Sequence, residues 1–385
     1  MQIKTDKKYV RRVLADLVKI NSVNPSLAIG APGESEIATY IAKELENLKL
    51  AVQRLASVPR RDSVVGVLKG SGGGKSLMLN AHIDTVGVEG MAEPFSAVVR
   101  DGKLYGRGAF DMKGAMAACI AAMKILVDNK IALRGDVVIS GVADEEFTSI
   151  GMSDVIEAYP VDAAIVTEPT HLQICLAHKG FVWIEIETSG RAAHGSRFEL
   201  GIDANMHMGR FLAELDHYQQ TLRSSAPHAL VGPPSLHAAT LRGGTGISTY
   251  AASCTLEIER RTIPGETEAD VMAPLQKMID RLAAADPNFK ATLKTTCVRD
   301  AFEVPRDASI VQTLAKASTA VLGKQPDFMG DTPWMDSALL AKAGVETVVM
   351  GPAGAGAHAD EEWVDIASVE KLAEILAHTA MHYCK

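Results

Sequence analysis

The residues of this sequence that could do chemistry are histidines and carboxylates that follow short apolar runs. The first pair is His82-Ile-Asp84, which ends the run Leu77-Met-Leu-Asn-Ala. On an extended chain, residues two apart face the same way, so this imidazole and carboxylate project together where the strand ends. Asp84 could then orient and polarise a metal-binding His82. Taken alone, the pattern also fits a turn that begins with an aspartate cap.

A second candidate, Asp111, lies in the glycine-punctuated segment Gly106-Arg-Gly-Ala-Phe-Asp111-Met-Lys-Gly114. This segment leads into a long apolar helix, which the spacing predicts from Ala115 to Val127. Asp111 could serve only as the N-terminal cap of that helix. A ligand role therefore depends on what the other segments bring to the same place.

Further carboxylates and an imidazole follow later strands. Three consecutive acids, Asp144-Glu145-Glu146, come after the predicted strand Asp136 to Val142. Their mutual repulsion is costly unless a cation or solvent compensates it, and a solvated acidic turn is the ordinary explanation. Glu168 follows the next strand, in Thr-Glu168-Pro, and His358 follows a glycine-rich run.

Together, these segments place imidazoles and carboxylates at the carboxyl ends of parallel strands, the edge where ligands bind in open α/β sheets. Five of the side chains are candidate metal ligands: His82, Asp111, Glu146, Glu168 and His358. Nitrogen and oxygen donors without thiolates suit zinc, cobalt or manganese and argue against a cysteine-rich structural zinc site. If one carboxylate is shared, five ligands serve two metals, spaced roughly 3.5–4 Å apart as in two-metal hydrolases.

The elements that must position these residues follow an α/β pattern in the first part of the chain. Apolar spacing predicts two helices and four buried strands there: Tyr9 to Ile20, Glu36 to Leu48, Ser63 to Leu68, Ser76 to Asn80, Asp136 to Val142 and Ala163 to Thr167. After Val298 the pattern returns, with two helices and a strand at Ile310 to Leu322, Ile366 to His382 and Val345 to Met350.

The segment between these parts behaves differently. From about Phe181 to Thr295, apolar and polar residues alternate, as in an antiparallel sheet with one wet face. Helices predicted at Ile202 to Gln219 and Glu268 to Ala285 would cover the apolar face. We therefore expect a discontinuous α/β domain, residues 1–179 and 297–385, with a mixed, mostly parallel sheet flanked by helices. An α+β domain, residues 180–296, is inserted into it.

Composition narrows the class of protein. The chain has 385 residues, more than the roughly 250–300 at which a single core stops growing. The net charge is −8, which disfavours a nucleic-acid partner. Five cysteines without a C-x-x-C pair indicate reduced thiols, and the first residues lack the pattern of a signal peptide. We therefore expect a cytoplasmic protein without a membrane span.

The motifs resemble those of one enzyme family over nearly the whole chain and in the same order. The segments around His82, Asp111, Glu145-Glu146, Glu168 and His358 are similar to the co-catalytic zinc family of acetylornithine deacetylase, succinyl-diaminopimelate desuccinylase, aminoacylase and glutamate carboxypeptidase. The resemblance includes an inserted lid domain of similar length. It implies two divalent metals, most simply zinc, and a homodimer formed through the lid.

The resemblance also implies roles for the metal-site residues. Asp111 would bridge the two metals, with His82 and Glu168 completing one site and Glu146 and His358 completing the other. Glu145 would be the general base, and Asp84 would orient and polarise His82 without binding the metal itself.

In the lid, the segment Arg191-Ala-Ala-His194-Gly-Ser resembles the one whose histidine stabilises the oxyanion, in this family on the partner subunit. Arg261 matches an arginine that binds a substrate carboxylate. Ser248 stands where an asparagine that reaches the substrate is usual, and Phe110 precedes Asp111 where a small or acidic residue is common. Both departures bear on the choice of substrate.

The expected activity is hydrolysis of the amide bond of N-acyl amino acids, as in acetylornithine deacetylase or succinyl-diaminopimelate desuccinylase. A dipeptidase or glutamate carboxypeptidase of the same family is the alternative. A non-catalytic relative that only binds metal or substrate is more remote, because neither Glu145 nor any of the five ligands is missing. An oxidoreductase is disfavoured because no G-x-G-x-x-G motif follows the first strands.

Overall fold

The computed structural model describes residues 4–385, which form nine helices and seventeen strands in that range. The helices are α1 (Lys7–Lys19), α2 (Ser35–Asn47), α3 (Gly114–Asp128), α4 (Ile150–Ala158), α5 (Ala204–Arg223), α6 (Glu268–Ala285), α7 (Ser309–Leu322), α8 (Ser337–Lys342) and α9 (Ile366–Tyr383). The strands are β1 (Ala51–Leu55), β2 (Ser63–Leu68), β3 (Leu77–His82), β4 (Val98–Arg100), β5 (Lys103–Tyr105), β6 (Val137–Val142), β7 (Ala163–Val166), β8 (Ile174–His178), β9 (Gly180–Ser189), β10 (Ser235–Gly243), β11 (Ser253–Thr262), β12 (Lys290–Arg299), β13 (Phe302–Glu303), β14 (Phe328–Asp331), β15 (Glu346–Val349), β16 (Gly354–Ala355) and β17 (Trp363–Asp365).

The chain divides into two compact units. The first runs up to Leu176 and includes Val304–Met329 and Met335–Lys385. The second consists of Ala177–Glu303 and Gly330–Trp334. The chain therefore leaves the first unit within β8, returns to it before α7, and contributes the short segment Gly330–Trp334 to the second unit.

The first unit is built on a mixed sheet with the strand order β1-β2-β6-β3-β7-β15-β8. The four central strands, β6, β3, β7 and β15, are mutually parallel, and the strands on either side of them are antiparallel. All residues of β3, β6 and β7 are buried, which explains their continuous apolar sequences. The prediction of a mixed sheet flanked by helices is confirmed.

Helices α1 and α3 of the first unit differ in the width of the apolar face that each buries. Helix α3 is apolar almost all round, and nearly all of its side chains are buried. Helix α1 buries only one stripe, and the side chain of Asp6 accepts hydrogen bonds from the backbone N–H groups of Lys8 and Tyr9 at its start. Burying each Leu, Ile or Val side chain contributes about 1.5–3 kcal/mol to folding.

A small sheet of order β16-β17-β5-β4 also belongs to the first unit, and the sequence patterns did not predict it. Its strands have only two or three residues, too few for a periodic signal. The sheet joins the segment before Asp111 to the segment after His358, because β5 pairs with β17.

The second unit is an antiparallel sheet of order β10-β11-β9-β12 with helices α5 and α6 packed on it. Alternate residues of β9 and β11, such as Ile184 and Leu256, lie in a core shared with Phe211 of α5 and Leu275 of α6. The polar residues between them point to the other face. The predicted antiparallel sheet with one packed face is therefore confirmed.

Among residues 4–385, no helix is both long enough and apolar enough to cross a membrane.

Candidate metal centre and active site

His82 lies at the carboxyl end of the central strand β3 and is fully buried. Its Nδ1 is 3.0 Å from the backbone carbonyl oxygen of Asp84. A carbonyl oxygen can only accept, so Nδ1 carries a proton and the lone pair of the neutral ring is on Nε2. That Nε2 lies 3.0 Å from Oδ1 of Asp111 and 3.8 Å from Oε1 of Glu168. Two carboxylates thus face a ring nitrogen, a geometry that a cation stabilises.

Asp111 lies in the tight turn Ala109–Lys113 that precedes α3, and it faces two histidines. Its Oδ1 is directed to His82, while its Oδ2 is 3.4 Å from Nε2 of His358. Lys113, not this aspartate, occupies the N-cap position of α3, and no side chain at that position makes a capping hydrogen bond. The hypothesis of a simple helix cap is therefore wrong, and the two carboxylate oxygens are placed as a shared ligand would require.

Glu146 and His358 form the second group around Asp111. Nε2 of His358 is 3.0 Å from Oε2 of Glu146. The other oxygen of Glu146, Oε1, is buried and has no hydrogen-bond partner among the described residues. A buried carboxylate oxygen without a donor is costly, and a bound cation would remove that cost.

Glu145 lies next to the first group. One ligand atom each from His82, Glu145 and Glu168 falls within 4.8 Å of the others, and the same holds for His82, Asp111 and Glu146. The structure therefore brings Glu145 and all five predicted ligands together. His82 ends β3, and Glu145, Glu146, Glu168 and His358 come after β6, β7 and β15, which are neighbours of β3 in the order β6-β3-β7-β15. Asp111 comes from the turn between β5 of the small sheet and α3.

The electrostatics of this cluster are those of a site that lacks positive charge. Burial and the repulsion from Glu168 raise the pKa of Glu145 well above its usual value. Burial likewise raises the pKa of Glu168, and Asp111 adds to the effect. Hydrogen bonds with Asp111 and Glu146 raise the pKa of His358 to about 10.

His82 and Asp111 shift in opposite directions. Burial alone would lower the pKa of His82, but Glu168 and Asp111 raise it well above its usual value. Although burial acts in the opposite sense, His358 and His82 hold the pKa of Asp111 well below its usual value. In both cases the electrostatic attraction between carboxylate and imidazole outweighs the cost of burial.

The residues present fit two divalent cations. The donors are imidazole nitrogens and carboxylate oxygens, the set that zinc, cobalt and manganese share. The buried Oε1 of Glu146, without a donor, is the specific observation in favour of a cation. The shared position of Asp111 between the two histidines favours a pair of ions over one.

Asp84 contacts this cluster through both its backbone and its side chain. Its backbone carbonyl accepts from the His82 ring, whereas its carboxylate Oδ1 lies farther away, 3.6 Å from Nδ1. The carboxylate instead accepts the backbone N–H groups of Glu145 and Glu146, at 3.1 and 3.2 Å. Asp84 therefore orients the turn that carries these two glutamates.

Glu362 is a residue of the site that the sequence patterns did not predict. Its buried carboxylate accepts the backbone N–H groups of Gly108, Phe110 and Asp111 at 2.9–3.0 Å. It also accepts from Nη1 of Arg107 at 2.9 Å. Glu362 thus fixes the turn that presents Asp111. The one signal available was its position four residues after His358, in His-Ala-Asp-Glu-Glu.

The three remaining predicted residues, His194, Ser248 and Arg261, lie in the second unit. His194 is exposed, its Nδ1 contacts the Ser196 hydroxyl at 2.8 Å, and the backbone N–H of Gly195 donates to the carbonyl of Ser248. His194 and Ser248 are therefore close neighbours.

Arg261 lies on β11 and is already paired. Its Nε donates to Oε1 of Glu259 at 2.7 Å, and its guanidinium lies 5.3 Å from the centroid of the Phe181 ring. Glu259 also accepts from the indole N–H of Trp183 at 2.9 Å. Any carboxylate that binds Arg261 must share it with Glu259.

Comparisons with known proteins identify the family of the chain. Residues 78–382 match the model of peptidase family M20/M25/M40. An acetylornithine deacetylase from Myxococcus xanthus is 30% identical, over 84% of this chain and 84% of the relative. An N-formyl-4-amino-5-aminomethyl-2-methylpyrimidine deformylase from Halalkalibacterium halodurans is 28% identical, over 96% of this chain and 94% of the relative.

Solved structures share the fold. A tripeptidase from Staphylococcus aureus has a TM-score of 0.80 at 18% identity, covering 99% of both chains. A dinuclear metal-binding M20 peptidase from Bacillus subtilis has a TM-score of 0.76 at 18% identity, covering 98% of both chains. The match to the family model spans most of the chain, and it includes every residue of the metal cluster. The chain therefore belongs to peptidase family M20/M25/M40 and is a metal-dependent hydrolase.

Proposed function

We propose that the chain hydrolyses the amide bond of N-acyl amino acids, the activity expected from its resemblance to acetylornithine deacetylase. The observation that carries this proposal is the placement of Asp111. Each of its carboxylate oxygens faces a different histidine, and each histidine lies near a further glutamate. The relatives named acetylornithine deacetylase support the substrate class.

Two zinc ions are the proposed cofactors, with cobalt or manganese as substitutes. His82 and Glu168 would hold one ion, Glu146 and His358 the other, and Asp111 both. When bound, the ions would lower the pKa of a water molecule and polarise the scissile carbonyl group.

Glu145 is the proposed general base. It would take a proton from the attacking water and return it to the leaving nitrogen, since an amine leaves as a neutral group only after protonation. Its backbone is held by Asp84, and its carboxylate lies within reach of the group formed by His82 and Glu168. A proton acceptor beside the metal ligands is what this chemistry requires.

The lid of residues 180–296 is the proposed dimerisation domain, in which His194 stabilises the oxyanion of the partner's substrate. Strand β10 lies at the edge of the sheet of the second unit. Exposed apolar side chains of this unit include Phe198, Leu200, Met206, Leu241 and Ile247. An exposed sheet edge and apolar side chains both favour coverage by a second copy of the chain.

Mixed dimers test whether each subunit contributes His194 to the active site of its partner. Glu145→Gln and His194→Ala homodimers should both be nearly inactive. After subunit exchange between equal amounts, about half of the dimers are mixed and each has one complete site, so activity should recover to about a quarter of that of the native dimer. Exchange is followed with two affinity tags, and wild type mixed with His194→Ala serves as the control. If exchange occurs without recovery, His194 acts within its own subunit or outside catalysis.

Arg261 and Ser248 are proposed to select the substrate, with Arg261 binding the α-carboxylate as a bidentate partner. The test is a panel of acetyl-, succinyl- and formyl-amino acids, their carboxamides and dipeptides, assayed for amine release with added zinc, cobalt or manganese. Arg261→Ala should raise KM about 10-fold or more for free acids and change it little for carboxamides, as expected when a charged hydrogen bond is lost.

Equal losses on acids and carboxamides would assign Arg261 a structural role only. Failure to hydrolyse any N-acyl amino acid, while dipeptides are hydrolysed, would replace the deacylase proposal by the dipeptidase alternative. The chemistry at the metal centre would be the same in both cases, since the two activities differ only in what occupies the acyl side.

A deformylase of amines that lack an α-carboxylate is the second candidate. The observation in its favour is that Arg261 is paired with Glu259 and is therefore partly neutralised. The relatives named as pyrimidine deformylases also match 96–100% of this chain. Release of formate from N-formyl amines without a carboxylate, at a higher kcat/KM than from N-acyl amino acids, would favour this candidate.

A further inference from the structure

A buried charge network lies behind the turn Asp144-Glu145-Glu146. The guanidinium of Arg61 donates to both oxygens of Glu34, from Nε at 2.8 Å and from Nη2 at 2.7 Å. The same Nη2 donates to Oδ1 of Asp144 at 2.6 Å. All three side chains are almost completely buried. The acidic run is therefore not the solvated turn that its composition suggests.

Asn24 connects this network to the metal cluster. Its side-chain amide donates to Oδ2 of Asp84 at 2.8 Å and to Oδ1 of Asp144 at 3.0 Å. The backbone N–H of Asn24 donates to the carbonyl of Thr85 at 2.9 Å, which fixes the asparagine beside Asp84. One amide group thus holds two buried carboxylates at a set distance from each other.

Both carboxylates act on the backbone of the turn. Asp84 accepts the N–H groups of Glu145 and Glu146. The side-chain Oδ2 of Asp144 accepts a hydrogen bond from the backbone N–H of Thr148 at 3.2 Å. The backbone carbonyl of Asp144 accepts one from the backbone N–H of Ser149 at 2.6 Å. Asp144 has a φ of 69°, in the left-handed region. This conformation is unfavourable for an aspartate and persists only where the surrounding contacts impose it.

From these contacts we propose that Arg61 and Asn24 are positioning residues, which set the places of the Glu145 and Glu146 carboxylates through Asp144 and Asp84. A buried ion pair adds little net stability compared with an apolar contact of the same size. The Arg61 contacts instead fix orientation, because three N–H donors of one planar guanidinium hold the carboxylates of Glu34 and Asp144 at once. The inference rests on the roles proposed above for Glu145 and Glu146.

The test compares Arg61→Lys and Asn24→Ala with the wild-type chain. Lysine keeps the charge but cannot reproduce the planar contacts to both Glu34 and Asp144. Removal of supporting partners behind metal ligands lowers metal affinity or activity by about 10–100-fold. We expect kcat to fall by that factor, while KM stays within about twofold of the wild-type value. The affinity for at least one of two Co²⁺ ions, measured by calorimetric titration of the metal-free protein, should fall similarly.

Arg12→Lys is the control for the loss of a bidentate contact between arginine and glutamate away from the metal cluster, at a more exposed position. Arg12 also donates to both oxygens of a glutamate, Glu44, at 2.8 and 2.9 Å, and its partners lie on helices α1 and α2. It should leave kcat and both metal affinities unchanged. A thermal midpoint for Arg61→Lys close to that of the control, together with the expected losses, supports a positioning role.

Wild-type kcat and metal affinities in Arg61→Lys and Asn24→Ala would overturn the proposal. The proposal would also be overturned if both variants showed a lower kcat, a higher KM and a lower thermal midpoint together, because that combination indicates general destabilisation. If Arg61→Lys fails to fold, Asn24→Ala decides alone, since it changes no charge. The metal titration separates this proposal from the proposed function. Should Glu145→Gln keep full activity, the base assignment fails, whereas the effect on Co²⁺ affinity still tests the effect of the network on Glu146.

Discussion

A Glu145→Gln variant is expected to bind two metals with unchanged affinity and to lose about 10²–10⁴-fold in kcat, the contribution typical of a general base. The amide of glutamine has nearly the size of the carboxylate but cannot accept a proton. The backbone N–H that Asp84 binds is unaffected by the substitution, so the turn should keep its conformation.

Glu146→Gln is the matched change one residue along the same turn, and its backbone is held by the same carboxylate. Here the expected loss is in metal affinity. The Oε1 atom of Glu146 is buried without a hydrogen-bond donor among the described residues, as expected for an oxygen that binds a cation. Metal content after dialysis and kcat at saturating Co²⁺ distinguish the two variants.

The comparison is informative because the structure places Glu145 within the same 4.8 Å cluster as His82 and Glu168. Geometry alone would permit it to be a ligand. If Glu145→Gln loses metal and Glu146→Gln keeps it, the two roles are exchanged. If both variants lose metal, Glu145 is a ligand and another group must accept the proton.

The strands that carry the site could be predicted from the sequence because burial imposes a simple pattern on them. Strands β3, β6 and β7 are buried on both faces, so each is a short uninterrupted apolar run. Parallel strands end at one edge of the sheet, and polar residues that follow them must meet there. His82, Glu146 and Glu168 are found by that rule.

The residues that hold the ligands in place could not be predicted by the same argument. Glu362 binds the backbone around Asp111 from more than 250 positions away, and Arg61 binds Asp144 across 83 positions. Their partners are backbone amides or single carboxylates, which leave no periodic pattern in the sequence. Such contacts depend on the completed tertiary structure, in which the β5 and β17 segments are paired.

The expectation that Asp111 is shared between two metals came from the resemblance, because neither pattern nor spacing contained it. Local sequence also allowed a helix cap, because an aspartate before an apolar helix is a common start signal. The helix begins three residues later, at Gly114, and the carboxylate is turned to the two histidines instead. This position leads to the second large expected effect.

Asp111→Ala is expected to weaken the binding of both metals and to abolish turnover, whereas loss of Glu146 or Glu168 should weaken one metal site first. The affinity loss should exceed the roughly 10–100-fold typical of residues that only support ligands, because a direct ligand of two ions is removed. Chelation of the wild-type protein should abolish turnover as well, and added zinc, cobalt or manganese should restore it. The same additions should not restore Asp111→Ala.

Asp111→Asn is the size-matched control for this experiment. Asparagine keeps one oxygen and replaces the other by an amide N–H₂ group, which cannot bind a cation. We therefore expect it to retain one metal per chain, while the alanine variant retains neither at the same free metal concentration. Thermal midpoints of the metal-free proteins check that each variant is folded before metal is added. Two tightly bound metals in Asp111→Ala would show that the carboxylate is not shared, and the two histidines would then belong to separately completed sites.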